Sequence, residues 1–274
     1  AAANRSRMRR RRCRMRLIDS HCHLDATEFD GDRDAVIARA AATGVVAQII
    51  PAVAASTFAS LADLCRGRRD LFAAYGLHPM YLDQHGDADV ARVRATILRE
   101  GAVAVGECGL DFFVNGLDPE RQRLLFDAQL RLAREFDLPL ILHARRAVDE
   151  VILRLRRIGG LRGVVHSFSG SAEQARQLFQ LGFHLGIGGP VTYDRAQRLR
   201  GLVATMPIEH LLLESDAPDQ PNASARGARN EPATIVEVAE VIARLRGVDV
   251  ATIAAATSSN AIRLFRLDQA DVAA

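Results

Sequence analysis

Short apolar runs alternate with longer amphipathic segments along almost the whole chain. The runs fall near 16–21, 45–53, 72–77, 102–107, 139–143, 163–167, 183–188 and 210–215. Each is a brief, nearly continuous hydrophobic stretch, the pattern of parallel strands buried on both faces. Segments with helical periodicity lie between and after them, near 31–43, 56–66, 88–100, 119–137, 147–158, 171–181, 193–204 and 231–246, with a last one at 250–265. Asp118-Pro119-Glu120 marks a helix start, with Asp as N-cap and Pro in the first turn; Ser171 with Glu173 and Gln174 marks another. Eight such alternations predict an α/β protein, a single-domain (β/α)8 TIM barrel. The rival is a doubly wound sheet. No G-x-G-x-x-G follows the first run, which weakens its dinucleotide-binding version.

The polar residues at the ends of these runs sharpen the choice. His21 and His23 follow Leu17-Ile18-Asp19-Ser20, and their spacing puts both imidazoles on one face with Cys22 on the other. Glu107 ends the fourth run, His143 the fifth and His166 the sixth, and Asp216 follows the eighth. Barrel enzymes place their active sites at the C-terminal ends of strands. Any one of these histidines alone reads as a satisfied strand-end residue. Their recurrence on successive strands points to a binuclear metal hydrolase, with Asp216 able to accept a proton from the attacking water. Glu214 shares a face with Asp216 and is expected behind it. Asp111 is a weaker candidate, readable as a structural turn residue. His184 and His210 begin strands, so they belong at the opposite end; His78, between Leu77 and Pro79, is placed to contact substrate.

Composition narrows the chemistry. All 36 basic residues are arginine, since the chain contains no lysine. A Schiff-base, PLP or Walker A lysine is therefore excluded, as is a carboxylated lysine bridging two metals. Glu107 is left as the best-placed bridge. Arg145, Arg226 and Arg229 fall near the same end and suit bidentate phosphate contacts.

At 274 residues and 49% hydrophobic, the chain can bury a substantial core. No apolar run approaches the ~20 residues of a membrane span, so no membrane partner is expected. Eight arginines crowd residues 5–16; removing them takes the formal net charge from +3 to −5. The basic character belongs to that segment, while the body is mildly acidic. Polybasic arms can bind nucleic acid. Met15 nevertheless opens a plausible mature sequence, so residues 1–14 are read as a disordered arginine-rich extension, 15–268 as the hydrolase barrel and 269–274 as a tail. Cys13, Cys22, Cys65 and Cys108 show neither C-x-x-C spacing nor a disulfide framework. A reducing compartment, the cytoplasm, is expected.

The stretches IDSHCHLD (18–25), GLHP (76–79), VGECGLDFF (105–113), LILHAR (140–145), VVHSFSG (164–170), LLLESDAP (211–218) and RGARNEP (226–232) together resemble the TatD family of metal-dependent deoxyribonucleases. The resemblance spans residues 17–267 and implies the same barrel. It implies that His21, His23 and Asp216 hold a first divalent metal, that His143 and His166 hold a second, and that Glu107 bridges them. Zinc, manganese, cobalt and nickel suit that donor set, and magnesium suits it less well. The implied substrate is DNA, cut as a 3′-5′ exonuclease. Two departures are Phe112-Phe113, where the family often has a Tyr-containing pair, and Glu-Ser-Asp at 214–216, where it usually has Glu-Thr-Asp. Two other readings stay open: hydrolysis of another ester or amide, such as an aminoacyl ester or lactone, and a non-catalytic nucleic-acid-binding protein.

Overall fold

A computed structural model describes residues 15–268; the expected extension and tail lie outside the described residues. The strands are β1 (Leu17–Asp19), β2 (Val45–Pro51), β3 (Leu71–Tyr75), β4 (Ala104–Asp111), β5 (Leu140–Arg145), β6 (Gly163–Val165), β7 (Phe183–Ile187) and β8 (Leu211–Leu213). The helices are α1 (Arg33–Thr43), α2 (Phe58–Cys65), α3 (Asp89–Glu100), α4 (Pro119–Glu135), α5 (Val148–Ile158), α6 (Ala172–Gln180), α7 (Gln197–Thr205), α8 (Ile235–Arg246) and α9 (Val250–Phe265). All strand pairs are parallel and run in chain order, β1 to β8. Ser20 N donates to Leu213 O at 2.9 Å and draws the last strand against the first, giving the (β/α)8 TIM barrel.

The strands are apolar on both faces because they serve two cores. Ile18, Ile49, Ala74, Ile141, Val164 and Leu212 fill the interior. Their strand neighbours, such as Leu17, Ile50, Leu142 and Leu213, pack outward under the helices. The end of α9 supplies Leu264 and Phe265 to the interior cluster, and Asn260 donates to Leu211 O at 2.9 Å. The N-terminal end of the barrel is thereby covered, and polar residues at the other end line a cleft. His184 and His210 lie beside each other at the covered end, with His210 Nδ1 3.0 Å from Phe183 O.

The helix starts follow their caps. Asp118 Oδ1 accepts from Glu120 N at 2.9 Å, and Ser171 forms a reciprocal capping box with Gln174. The largest delays relative to the periodicity are at α7 and α8. Pro232–Thr234 forms a 3-10 turn before α8, and residues 193–196 precede α7 as loop. Two strands run further than expected. β4 and β5 continue past Glu107 and His143 by pairing Gly109 with His143 and Asp111 with Arg145. Gly109 permits this approach, since a Cβ there would lie 2.0 Å from His143 O. By sequence alone, the short, glycine-broken pattern after Glu107 reads as a turn.

Candidate metal centre

β1 ends on Asp19, and the chain turns through residues 20–23 across the mouth of the barrel. His23 N donates to Ala217 O at 2.7 Å, and Cys22 Sγ turns down toward Ile49 O. His21 and His23 consequently face each other, Nε2 to Nε2, at 3.1 Å. Asp19 is fully buried under this turn and accepts from Ser215 Oγ (2.6 Å), Ser215 N and His21 N. Burial pushes its carboxyl up to about 7, against those hydrogen bonds.

Glu107 rises from the middle of β4 into the centre of the cluster, and its two oxygens have different neighbours. Oε2 lies 3.2 Å from His21 Nε2 and 3.5 Å from His23 Nε2. Oε1 lies 2.8 Å from His166 Nε2, 3.3 Å from His143 Nδ1 and 2.9 Å from His78 Nε2. Asp216 Oδ1 completes the first group, 3.4 Å from His21 Nε2 and 3.7 Å from His23 Nε2. The six expected ligands are thus brought together around one carboxylate.

The surrounding hydrogen bonds aim each donor. Asp111 Oδ2 sits 2.8 Å from His143 Nε2, while Oδ1 accepts from Phe113 N and Val114 N. His143 is therefore left with Nδ1 facing Glu107. Asp216 adopts a left-handed backbone (φ 55°), which aspartate tolerates better than most residues. Its N–H donates to His21 O at 2.9 Å, and Gln220 Nε2 donates to Oδ2, which leaves Oδ1 for the histidines. Met80 N donates to His78 Nδ1 at 3.1 Å. Neutral His78 then carries its proton on Nε2 and donates a hydrogen bond to Glu107.

The electrostatics of the cluster favour a cation. Burial raises the Glu107 carboxyl, but the imidazoles of His78, His166 and His21 outweigh it and hold the group well below its ordinary range. Burial likewise opposes protonation of His166 and His23, yet the Glu107 carboxylate lifts them to about 10 and about 9. Behind the cluster, Glu214 Oε1 accepts from Ser167 N and lies 3.9 Å from His166 Nδ1. Burial pushes Glu214 up to about 8. Gly186 makes room for it, since a Cβ there would lie 1.9 Å from Glu214 Oε2. A preoriented donor set of imidazole nitrogens and carboxylate oxygens fits zinc, manganese, cobalt or nickel.

The cleft above the cluster encloses about 1220 Å³. Arg145 lines it, stacked 3.7 Å over the Phe113 ring. Arg226 and Arg229 do not. Arg226 is exposed outside the lining. Arg229 is held by Asp32 (2.8 Å) and Glu231 (3.1 Å) and donates to Glu28 O. The arginines that line the cleft are Arg145, Arg195 and Arg198. Sequence reasoning passed over the last two because that segment reads as helix. It also passed over Gln220 and the His143-orienting role of Asp111, which require strand register and loop path to be known. Among the described residues, no helix is long and apolar enough to cross a membrane.

Comparison with known proteins gives the family. The family model described as TatD related DNase matches residues 18–266. The metal-dependent hydrolase YjjV of Escherichia coli, itself uncharacterized, is 43% identical over 92% of this chain and 98% of its own length. The 3'-5' ssDNA/RNA exonuclease TatD of Erwinia tasmaniensis is 36% identical over 92% of this chain and its entire length. The crystal structure of the Escherichia coli YjjV protein, a TatD homologue, superposes with a TM-score of 0.89 at 41% identity, covering 93% of this chain and 99% of that one. The chain belongs to the TatD family of metal-dependent hydrolases.

Proposed function

We propose that the protein hydrolyses phosphodiester bonds in nucleic acid with two divalent metal ions, acting as a 3′-5′ exonuclease on DNA. One observation carries the reading: the two oxygens of Glu107 face separate nitrogen sets, His21 with His23 and His143 with His166. One carboxylate with histidines on both sides suits a metal pair. The exonuclease name borne by the Erwinia tasmaniensis relative supports the substrate class.

In this reading His21, His23 and Asp216 would hold one ion, His143 and His166 would hold the other, and Glu107 would serve both. When bound, such a pair lowers the pKa of water and stabilises charge on phosphoryl oxygens. Asp216 Oδ1 orients the attacking water and takes its proton, while Gln220 keeps the carboxylate from rotating. Arg145 binds a phosphoryl oxygen from the rim, and Phe113 holds its guanidinium in place. His78 donates to Glu107 and steadies the bridge. Sequence readout is not needed, since phosphate contacts and a strand terminus suffice.

The test is a panel on protein reconstituted with each metal. Single-stranded DNA, duplex DNA, RNA, an aminoacyl ester and a lactone are compared for turnover, and metal content is measured alongside. Two ions per chain with preferential cleavage of a nucleic acid supports the reading. Preference for the aminoacyl ester or the lactone moves the activity to another ester, and saturation at one ion removes the binuclear site.

A further inference from the structure

We propose that Arg195 and Arg198 form a second phosphate subsite, on the cleft wall after β7, for the phosphate next to the one being cleaved. The proposal rests on the nucleic-acid reading above. Both residues line the cleft that holds the metal-ligand cluster. Arg198 reaches across to the loop after β6 and donates through Nη2 to Ser169 O at 2.6 Å. The Arg195 guanidinium lies 5.3 Å from the Tyr193 ring, and the Tyr193 hydroxyl donates to Pro221 O at 3.0 Å. Each guanidinium is thus positioned by a neutral partner.

The partners these two arginines lack are as informative as those they have. Among the described residues, neither is within ion-pair distance of a carboxylate. Arg200, only two residues on, pairs with Asp194 at 3.4 Å, and Arg229 is shared between Asp32 and Glu231. Both side chains are exposed on the cleft wall, so their charges stand open to an incoming anion. A backbone carbonyl and a ring fix where the guanidinium groups sit and leave their charge intact. That arrangement suits a ligand which brings its own negative charge, and a guanidinium fork matches phosphate oxygens.

The signs of the two cleft walls agree. Arg145, Arg195 and Arg198 stand after β5 and β7, whereas Asp25, Glu28 and Asp219 stand after β1 and β8. A polyanion held at the centre has one favourable exit, over the arginines. The body of the strand would lie on that side.

The experiment compares Arg195→Gln/Arg198→Gln with the parent protein, both metal-reconstituted. Glutamine removes the charge and keeps a side-chain N–H donor. Arg157→Ala/Arg176→Ala, on the outer helices, controls for net charge. Steady-state kinetics are run on an eight-nucleotide single strand and on bis(p-nitrophenyl) phosphate, which has no flanking phosphate. The expected result is a loss in kcat/KM at least tenfold larger on the oligonucleotide, carried mainly by KM. Binding of the same labelled oligonucleotide is followed by anisotropy in an Asp216→Asn background. Its salt slope should fall by about 0.7–1.4, at roughly 0.7 for each phosphate contact on a single strand.

Equal losses on the two substrates, or none on the oligonucleotide, would overturn the subsite while leaving the nuclease reading intact. If the parent cleaves no nucleic acid but oligonucleotide binding still depends on the pair, the subsite stands and the nuclease reading falls. No binding at low salt removes both.

Discussion

Asp111 and His143 form a fixed pair across β4 and β5, with Asp111 Oδ2 2.8 Å from His143 Nε2. This contact decides that Nδ1 is the nitrogen facing Glu107. Carboxylates behind metal-binding histidines typically contribute ~10–100-fold in metal affinity. Asp111→Asn keeps an oxygen for Phe113 N and Val114 N but loses the charge behind His143. Metal affinity should fall by about that factor with the fold intact. Competition against a chelator measures it, and unchanged affinity would show that the pair does not aim the ring.

Glu107→Gln tests the bridge itself. A neutral amide cannot offer two anionic oxygens to two nitrogen groups. Loss of metal affinity should exceed the roughly 10–100-fold that losing an outer partner costs. Metal analysis should find fewer ions per chain and activity largely abolished. Retention of both ions with near-normal turnover would assign the bridge elsewhere.

Asp216→Asn tests a carboxylate assigned both to the first ion and to the proton of the attacking water, so it is assayed at saturating metal with metal content measured alongside. A positioned general base contributes typically ~10²–10⁴-fold. The substitution should lower kcat by that order with KM little changed, and steady-state kinetics decide it. Arg229→Ala should behave differently, because Asp32 and Glu231 already occupy its guanidinium outside the cleft. It should change KM for an oligonucleotide by no more than about twofold, as for the loss of an exposed ion pair. A large rise in KM would return Arg229 to the substrate path.

Metal loading should release protons. In the metal-free chain Glu107 lifts His23 to about 9 and His166 to about 10, so both are protonated at pH 7. Coordination requires neutral imidazole, and the protons must leave as metal enters. Affinity therefore rises with pH through neutrality and falls as pH drops. Calorimetric titration in two buffers of different ionisation enthalpy reads the release; identical apparent enthalpies would contradict it.

Asn230 ties the long loop after β8 to the site. It is buried and donates to Ser215 O at 2.7 Å and Asp219 O at 2.8 Å, while its oxygen accepts from Glu231 N and Thr234 Oγ1. Asn230→Ala leaves buried backbone groups unpaired, at about 1–3 kcal/mol. Denaturant unfolding should show a loss of that size. A neutral substitution would mean that the loop holds its course without this anchor.

Much of the protein was legible in the order of residues alone. Eight apolar runs separated by amphipathic segments specify a parallel α/β fold, because strands buried on both faces must be apolar throughout and helices must show one apolar side; the polar residues at the run ends favour the barrel over a doubly wound sheet. The six donors were readable because each stands where such a run ends, and those ends converge by topology. The absence of lysine left Glu107 as the best-placed bridge before any geometry was known. Other features depend on atoms distant in sequence. The pairing of Gly109 with His143 lengthened β4 and β5 and set Asp111 behind His143. Met80 N, bonded to His78 Nδ1, turned the Nε2 of an expected substrate contact toward Glu107. Asp32 and Glu231 drew Arg229 away from the cleft, and the late start of α7 put Arg195 in a loop that lines it. Periodicity carries burial, which is a property of each segment. Which nitrogen, oxygen or guanidinium faces the centre depends on partners brought in from other segments, and only the folded chain supplies them.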